Sequence, residues 1–209
     1  MKCQTVPSPT VKRLSLYLRR LERFAAEGIP TVTSRNLGDS LDVGAAQVRR
    51  DLACFGQFGR PGVGYQVTPL VTKLKHILGT DKTWPVIVIG AADLGRALVR
   101  YKGFQKKGFN VLAAFDITKD KVGRQIGDVR IYHIREVPKI VRKHSVKLAV
   151  LAVPAKAAQE VTDMLCKAGV KGILNLATTT VITAADVVVG SVDIAASLEQ
   201  VSFRVKNRS

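Results

Sequence analysis

Two short stretches of this chain carry residue types and spacings suited to specific chemistry. In the first, Gln47, Arg49 and Arg50 share a segment with Val48, Leu52 and Phe55. The apolar trio recurs at i, i+4, i+7, so it faces inward and leaves the polar trio toward solvent. Arginine and glutamine side chains can make bidentate hydrogen bonds to base edges in the major groove. GQFGRPGVGYQV follows, with four glycines, Arg60 and Pro61 between strand-like ends. That reads as a β-hairpin whose tip, at Arg60, would meet phosphate or the minor groove. In the second stretch, Gly90-Ala91-Ala92-Asp93-Leu94-Gly95 follows the apolar run PVIVIG and opens a helical pattern. This is where a dinucleotide fingerprint belongs. Gly90 permits the tight turn, Gly95 permits close helix–strand approach, and the helix N–H groups can hold a pyrophosphate. Asp116 ends the next strand, 26 residues after Gly90, and its carboxylate suits ribose hydroxyls. It selects NAD(H) over NADP(H), with Lys119 and Lys121 nearby as a counterweight. The pattern has a fault: Ala92 stands where the middle glycine of the fingerprint would be, so its methyl group crowds the pyrophosphate, and Asp93 adds a negative charge that opposes an anionic ligand.

Little else offers chemistry. His76, His133 and His144 fall on linker, strand-edge and helix-end positions with no convergent acid, so no catalytic residue is expected. Cys3, Cys54 and Cys166 are odd in number and far apart, which predicts neither a disulfide framework nor a metal site.

These stretches need elements to position them. Thr10–Glu27 reads as a helix capped by Thr10, with Leu14, Leu18, Leu21 and Ala25 as its apolar stripe and Gly28-Ile29-Pro30 as its stop. Ser34 is expected to cap a second helix with Leu37 and Leu41 inward. Asp42-Val43-Gly44 is a turn, and a third helix covers about 45–55. Two short helices around a glycine-containing turn make a helix-turn-helix, and the following hairpin makes it winged. A generic small helical bundle with a glycine-rich loop is the alternative for these residues.

After GTDKTWP the texture changes. Strands are expected at 85–90, 111–115, 130–132, 148–154, 172–176 and 187–192. Helices are expected after Gly90, around 135–144 and over 157–168. That alternation predicts a mainly parallel, doubly wound α/β sheet. A last helix over 193–207 places Ile194, Leu198, Val201 and Val205 on one face, to pack on its own sheet or on a second subunit. The expected division is 1–80 for a winged-helix domain, 85–192 for a Rossmann domain and 193–209 for a dimerisation helix.

The 209 residues carry 33 Lys+Arg against 16 Asp+Glu, a formal charge of +17. A polyanionic partner explains that excess, with a merely solvated basic surface as the alternative. The excess is +7 over 1–84 and +10 over 85–209, so charge alone does not say which part meets a polyanion. No apolar run is long enough to span a bilayer, and the first residues, MKCQTVPSPTVKRLS, lack a signal core. A cytoplasmic location without membrane contact is therefore expected.

Taken together the motifs resemble the Rex family of redox-sensing transcriptional repressors. The resemblance runs through VKRLSLYLRRLE, QVRRDLACFGQFGRPGVGY, GAADLGRALVRYKGF, VLAAFD and LAVPAKAAQEVTDMLCKAGVKGILNLA, almost the whole chain. It implies a homodimer that binds an inverted-repeat operator in double-stranded DNA. It also implies C-terminal helices exchanged between subunits, and release of DNA when NADH replaces NAD+. Carried over by position, Gln47, Arg49 and Arg50 match the recognition helix, and Arg60, Gly62, Gly64 and Tyr65 match the wing. Gly90 to Gly95, Asp116, Val153, Pro154, Ala177, Thr178 and Thr179 match the nucleotide site. Arg19, Tyr101 and Asp193 match a switch in which an Arg19–Asp193 bridge to the partner is exchanged for a Tyr101–Asp193 hydrogen bond. Two departures fall in the ligand site: GAADLG where the family has a GAGNLG-like turn, and Ala177-Thr178-Thr179-Thr180 where it has an Ala-Pro-Val-like stretch. They leave open a relative whose Rossmann domain responds weakly to NADH and acts mainly as a dimerisation scaffold.

Overall fold

A computed structural model of the chain describes residues 6–60 and 62–207, so Cys3 and Pro61 lie outside the described residues. The chain divides into two compact units at Lys82/Thr83.

The first unit begins with α1 (Ser8–Ala26). The helix starts at Pro7, with Pro9 in its first turn, where a missing N–H costs nothing. Thr10 is therefore inside the helix and not its cap. The inward stripe is Leu14, Tyr17, Leu18, Leu21 and Phe24; Ala25 is exposed, because the true period brings Phe24 to the core instead. β1 (Thr31–Val32) leads to α2 (Ser34–Asp39), which is capped by Thr33, one residue before Ser34. The Thr33 hydroxyl accepts from the Asn36 N–H at 3.1 Å, and Asn36 Oδ1 accepts from the Thr33 N–H at 3.3 Å, a reciprocal capping box. α3 (Ala45–Ala53) ends two residues short of Phe55, which is half-buried beyond its last turn. β2 (Gly59–Arg60) and β3 (Gly64–Gln66) form the hairpin, and β1 completes a three-stranded antiparallel sheet in the order β1-β3-β2. α4 (Val67–Ile77) then packs Val67, Leu70 and Leu74 onto α1. Its helical spacing passes unread in the sequence because it follows the hairpin without a break. His76 accordingly sits in the last turn of a helix and not in a linker, with Nδ1 2.7 Å from Asp81 Oδ2.

The second unit holds β4 (Trp84–Ile89), α5 (Asp93–Val99), α6 (Lys102–Lys106), β5 (Phe109–Asp116), β6 (Gln125–Ile126) and β7 (Val129–His133). A turn of 3-10 helix, α7 (Val137–Lys143), β8 (Leu148–Leu151), α8 (Ala155–Ala168), β9 (Gly172–Asn175), β10 (Val188–Ser191) and α9 (Ile194–Lys206) follow. The sheet order is β10-β9-β8-β4-β5-β7-β6, parallel except for the short edge strand β6. The central strands β4 and β8 are almost wholly apolar, as strands covered on both faces must be. One core joins Ile87, Ile89, Phe115 and Leu151 to Val141 of α7 and Ala158, Val161 and Leu165 of α8. Each such fully buried large apolar side chain contributes about 1.5–3 kcal/mol. Strands are added outward on one side of β4 and then, from β8, on the other, so the crevice at the carboxyl ends of β4 and β8 is the topological switch point where ligands of such sheets bind.

Candidate DNA-reading and nucleotide-binding sites

In the first unit, α3 presents its polar face as the heptad spacing requires. Val48 and Leu52 are fully or almost fully buried, while Arg49 and Arg50 are exposed. Arg49 Nη1 donates to Ser34 Oγ at 2.9 Å, tying α3 to α2. Gln47 is less free than its position on the helix implies. Its Nε2 donates to Asp51 Oδ1 at 2.9 Å, and its Oε1 accepts from Arg50 Nη1 at 3.4 Å. The wing closes through Val63 N–H donating to Arg60 O at 3.1 Å, with Arg60, Gly62 and Val63 at or beside the tip and exposed. Gly64 lies opposite Arg60 in the ladder. Strand alternation turns the Tyr65 ring toward the core, 8% exposed, where it anchors the wing. A cleft of about 510 Å³ between α3 and the wing is lined by Arg49, Arg60, Ser34 and Tyr65.

Sequence reasoning missed what lies beneath this surface. Asp51, 2% exposed, faces α1 and accepts from Thr10, Arg13, Tyr17 and Gln47. Burial pushes its carboxyl up, but the bonds from Arg13, Tyr17 and Gln47 outweigh burial and hold it at about 2. The signal was present: an acid at an inward position of α3, and Arg13 and Tyr17 at i, i+4 on the first helix.

In the second unit, the β4–α5 turn is pinned at the switch point. Gly90 adopts φ +97°, and a Cβ there would lie 2.2 Å from the Ala152 carbonyl oxygen at the end of β8. A Cβ on Gly95 would lie 1.8 Å from Gly90 O. Both positions therefore require glycine for space, and Gly90 also for its backbone angle. Gly90 N–H donates to Phe115 O at 2.8 Å, and Ala91 N–H donates to Asp116 Oδ2 at 2.9 Å. Ala92 is the N-cap residue of α5 at φ −80°, a conformation open to any residue, and it is exposed. Asp93 is almost fully exposed and paired with Arg96 at 2.6 Å, so its charge is locally balanced. Leu94 is an exposed apolar residue of the same turn.

Asp116 is buried at the end of β5. Thr118 N–H donates to its Oδ1 at 2.9 Å, and Lys121 Nζ lies 3.0 Å from Oδ2. Burial raises this carboxyl, yet Thr118, Ala91 and Lys121 overcome it and hold it at about 2. The carboxylate is thus ionised, and Oδ1 keeps room for a further donor. Lys119 is exposed. Val153 is half-buried past the end of β8, and Pro154 caps α8. Ala177, Thr178 and Thr179 form a tight turn after β9, with Thr179 N–H donating to Ala177 O at 2.7 Å. Asn175, a second residue that sequence reasoning missed, shapes that turn from its buried side. Its Nδ2 donates to Thr179 O at 2.8 Å, and its Oδ1 accepts from Ala177 N–H at 2.9 Å.

The three switch candidates are all exposed. Arg19 lies on α1. Tyr101 precedes α6, with its ring edge-on to Phe104 at 5.3 Å. Asp193 caps α9, its Oδ1 accepting from Ala196 N–H at 2.9 Å. No residue of α9 is buried: Ile194, Leu198, Val201 and Phe203 are all more than half exposed, so its apolar face does not pack on its own sheet. No group of three or more His, Cys, Asp or Glu among the described residues could hold a metal, and no described helix is long and apolar enough to cross a membrane.

A winged helix-turn-helix joined to a parallel sheet with a glycine turn at its switch point defines a DNA-binding regulator with a Rossmann-like body. Two family models match in that order: "Putative DNA-binding protein N-terminus" over residues 5–53 and "CoA binding domain" over residues 81–179. A redox-sensing transcriptional repressor Rex of Pelotomaculum thermopropionicum is 42% identical over 205 residues, 98% of this chain and 96% of the relative. Another, of Thermosipho africanus, is 43% identical over 201 residues, 96% of each chain. A crystal structure of RSP in complex with β-NAD+ and operator DNA matches with TM-score 0.93 at 35% identity, covering 99% of this chain and 95% of that one. A structure of RSP with β-NADH matches with TM-score 0.90 at 33% identity, covering 99% and 97%. The chain belongs to the Rex family of redox-sensing transcriptional repressors.

Proposed function

We propose that this chain represses transcription as a cytoplasmic homodimer that binds an inverted-repeat operator and releases it when NADH binds. The observation that carries the reading is the pairing, in one Rex-family chain, of an exposed arginine-bearing recognition helix with a glycine turn locked against the switch point of a parallel sheet. RSP, its structural relative, has been crystallised with operator DNA, with NAD+ and with NADH.

Gln47, Arg49 and Arg50 read base edges and phosphates in the major groove, and Arg60 reaches the backbone or minor groove from the wing. Gly62 and Gly64 let the wing lie close to the duplex. The N–H groups of Ala92, Asp93 and Leu94, at the start of α5, hold the pyrophosphate, while those of Gly90 and Ala91 donate to Phe115 O and Asp116 and fix the turn. Asp116 takes a ribose hydroxyl and repels a 2′-phosphate, which selects NAD(H). Val153, Pro154, Ala177, Thr178 and Thr179 line the nicotinamide side. The exposed apolar face of α9 is exchanged with a second copy, and Arg19, Tyr101 and Asp193 couple nucleotide state to the DNA-bound geometry. The Asp93–Arg96 pair offsets the negative charge that Asp93 brings to the phosphate position.

The test is a titration of the full-length chain against the duplex it enriches from a library of randomised inverted repeats. Arg50→Ala should weaken that binding by about 1–3 kcal/mol while leaving scrambled duplex nearly unaffected. Equal affinity of the variant and the parent for the enriched duplex would contradict a recognition role for α3.

A further inference from the structure

The buried acid beneath the recognition helix has a consequence for which base is read. Asp51 accepts five hydrogen bonds. Thr10 Oγ1 at 3.2 Å, Arg13 Nη2 at 2.8 Å and Gln47 Nε2 at 2.9 Å meet Oδ1; Arg13 Nε at 2.6 Å and Tyr17 Oη at 2.8 Å meet Oδ2. A carboxylate offers about four lone-pair sites, so this one is saturated. Four of the five donors come from α1. The fifth is the amide of Gln47, one turn back on α3. An ionised carboxylate only accepts, so Gln47 must turn its nitrogen inward and its oxygen outward. The outward Oε1 accepts from Arg50 Nη1, another candidate DNA-reading side chain.

We propose that Asp51 is a positioning residue that fixes the amide orientation of Gln47, so that α3 offers the groove a carbonyl acceptor. At one step of each half-site this selects a base with an exocyclic amino group in the major groove, adenine or cytosine. The inference rests on the DNA-reading function proposed above. Without the carboxylate, either end of the Gln47 amide can face outward and the preference is lost. In Asp51→Asn the asparagine amide can donate to Gln47 Oε1, which turns the nitrogen toward the groove.

The probe is the enriched duplex, with each half-site base replaced in turn by an analogue lacking the exocyclic amino group (purine for adenine, pyrimidinone for cytosine). One replacement should cost the parent chain about tenfold in affinity, roughly one hydrogen bond's worth of discrimination. The same replacement should cost Gln47→Ala and Asp51→Asn less than about twofold. All the chains meet identical duplexes, so any weakening of base pairing cancels. Tyr17→Phe removes another donor from the same carboxylate and should lower thermal stability while keeping the tenfold preference. Asp51→Asn keeping the preference, or Tyr17→Phe losing it as fully, would overturn the inference. If Asp51→Asn does not fold, the parent chain alone decides, with 7-deazaadenine at an adenine step or 7-deazaguanine opposite a cytosine step, each lacking the ring N7 that an outward amide nitrogen would meet. Insensitivity at that step supports an outward carbonyl, and sensitivity overturns it. A library yielding no enriched duplex removes the proposed function and this inference with it; an enriched duplex with no amino-sensitive step removes the inference alone.

Discussion

Replacing Gly90 by alanine is expected to destabilise the second unit by about 2–5 kcal/mol and to abolish NADH binding. Two costs combine. A non-glycine residue at φ +97° pays about 1–2 kcal/mol for the left-handed backbone. The added methyl, 2.2 Å from the Ala152 carbonyl oxygen, must push β8 and β4 apart, and overpacking of that kind costs about 1–3 kcal/mol more. Neither neighbour is the free end of a flexible side chain, so little can yield. The same displacement opens the crevice in which a pyrophosphate would lie. Gly62→Ala is the control. Gly62 also has positive φ, but a Cβ there meets nothing within 4 Å, so only the backbone cost of about 1–2 kcal/mol should appear. Urea unfolding of the two variants, with calorimetry for NADH, measures both effects. Equal stabilities, or intact NADH binding in Gly90→Ala, would show that the turn is not locked as described.

The second large effect concerns the last helix. Leu198→Asp combined with Val201→Asp should convert the dimer to a monomer and lower affinity for the inverted repeat at least a hundredfold. Both residues are more than half exposed on the single chain, so the substitutions cost its own core almost nothing. Two carboxylates in a face that must be buried against a second copy would each pay a desolvation cost of several kcal/mol. Linking two half-site readers typically multiplies affinity by about 10²–10⁴, which a monomer forfeits. Sedimentation analysis and a duplex titration check the two halves of this expectation. A variant that remains dimeric would move the interface away from α9.

Much of the architecture was legible because periodicity reports burial. The stripe through Leu14, Leu18 and Leu21, the turn at Asp42-Val43-Gly44 and the apolar strands that became β4, β5 and β8 all follow from which residues must leave water. Periodicity does not report which polar residues are buried with them. Asp51 and Asn175 lie among apolar neighbours, and only the fold supplies the partners that make their burial affordable: Arg13 and Tyr17 for the acid, the Ala177–Thr179 turn for the amide. Thr10 illustrates the same limit. Its type and position suit a helix cap, yet the helix is capped at Pro7 and the Thr10 hydroxyl donates to Asp51. The short edge strand β6, two residues long, has no period to read. Tyr65, with its wing neighbours exposed, was turned inward by the alternation of a strand whose sides the sequence alone could not assign.

The fault in the fingerprint also changes meaning once geometry is known. Arg96 balances the charge of Asp93, so the departure that remains is the exposed methyl group of Ala92 beside the phosphate position.

Coupling between nucleotide and DNA is the centre of this account, and one titration addresses it. The full-length dimer is titrated with the enriched duplex alone, then with saturating NADH, then with saturating NAD+. A coupling of about 1–3 kcal/mol, the usual range for allosteric proteins, predicts a loss of roughly 5–150-fold in DNA affinity with NADH and no such loss with NAD+. DNA affinity unmoved by either nucleotide, with no heat of NADH binding in calorimetry, would contradict it and leave the sheet as a scaffold for dimerisation.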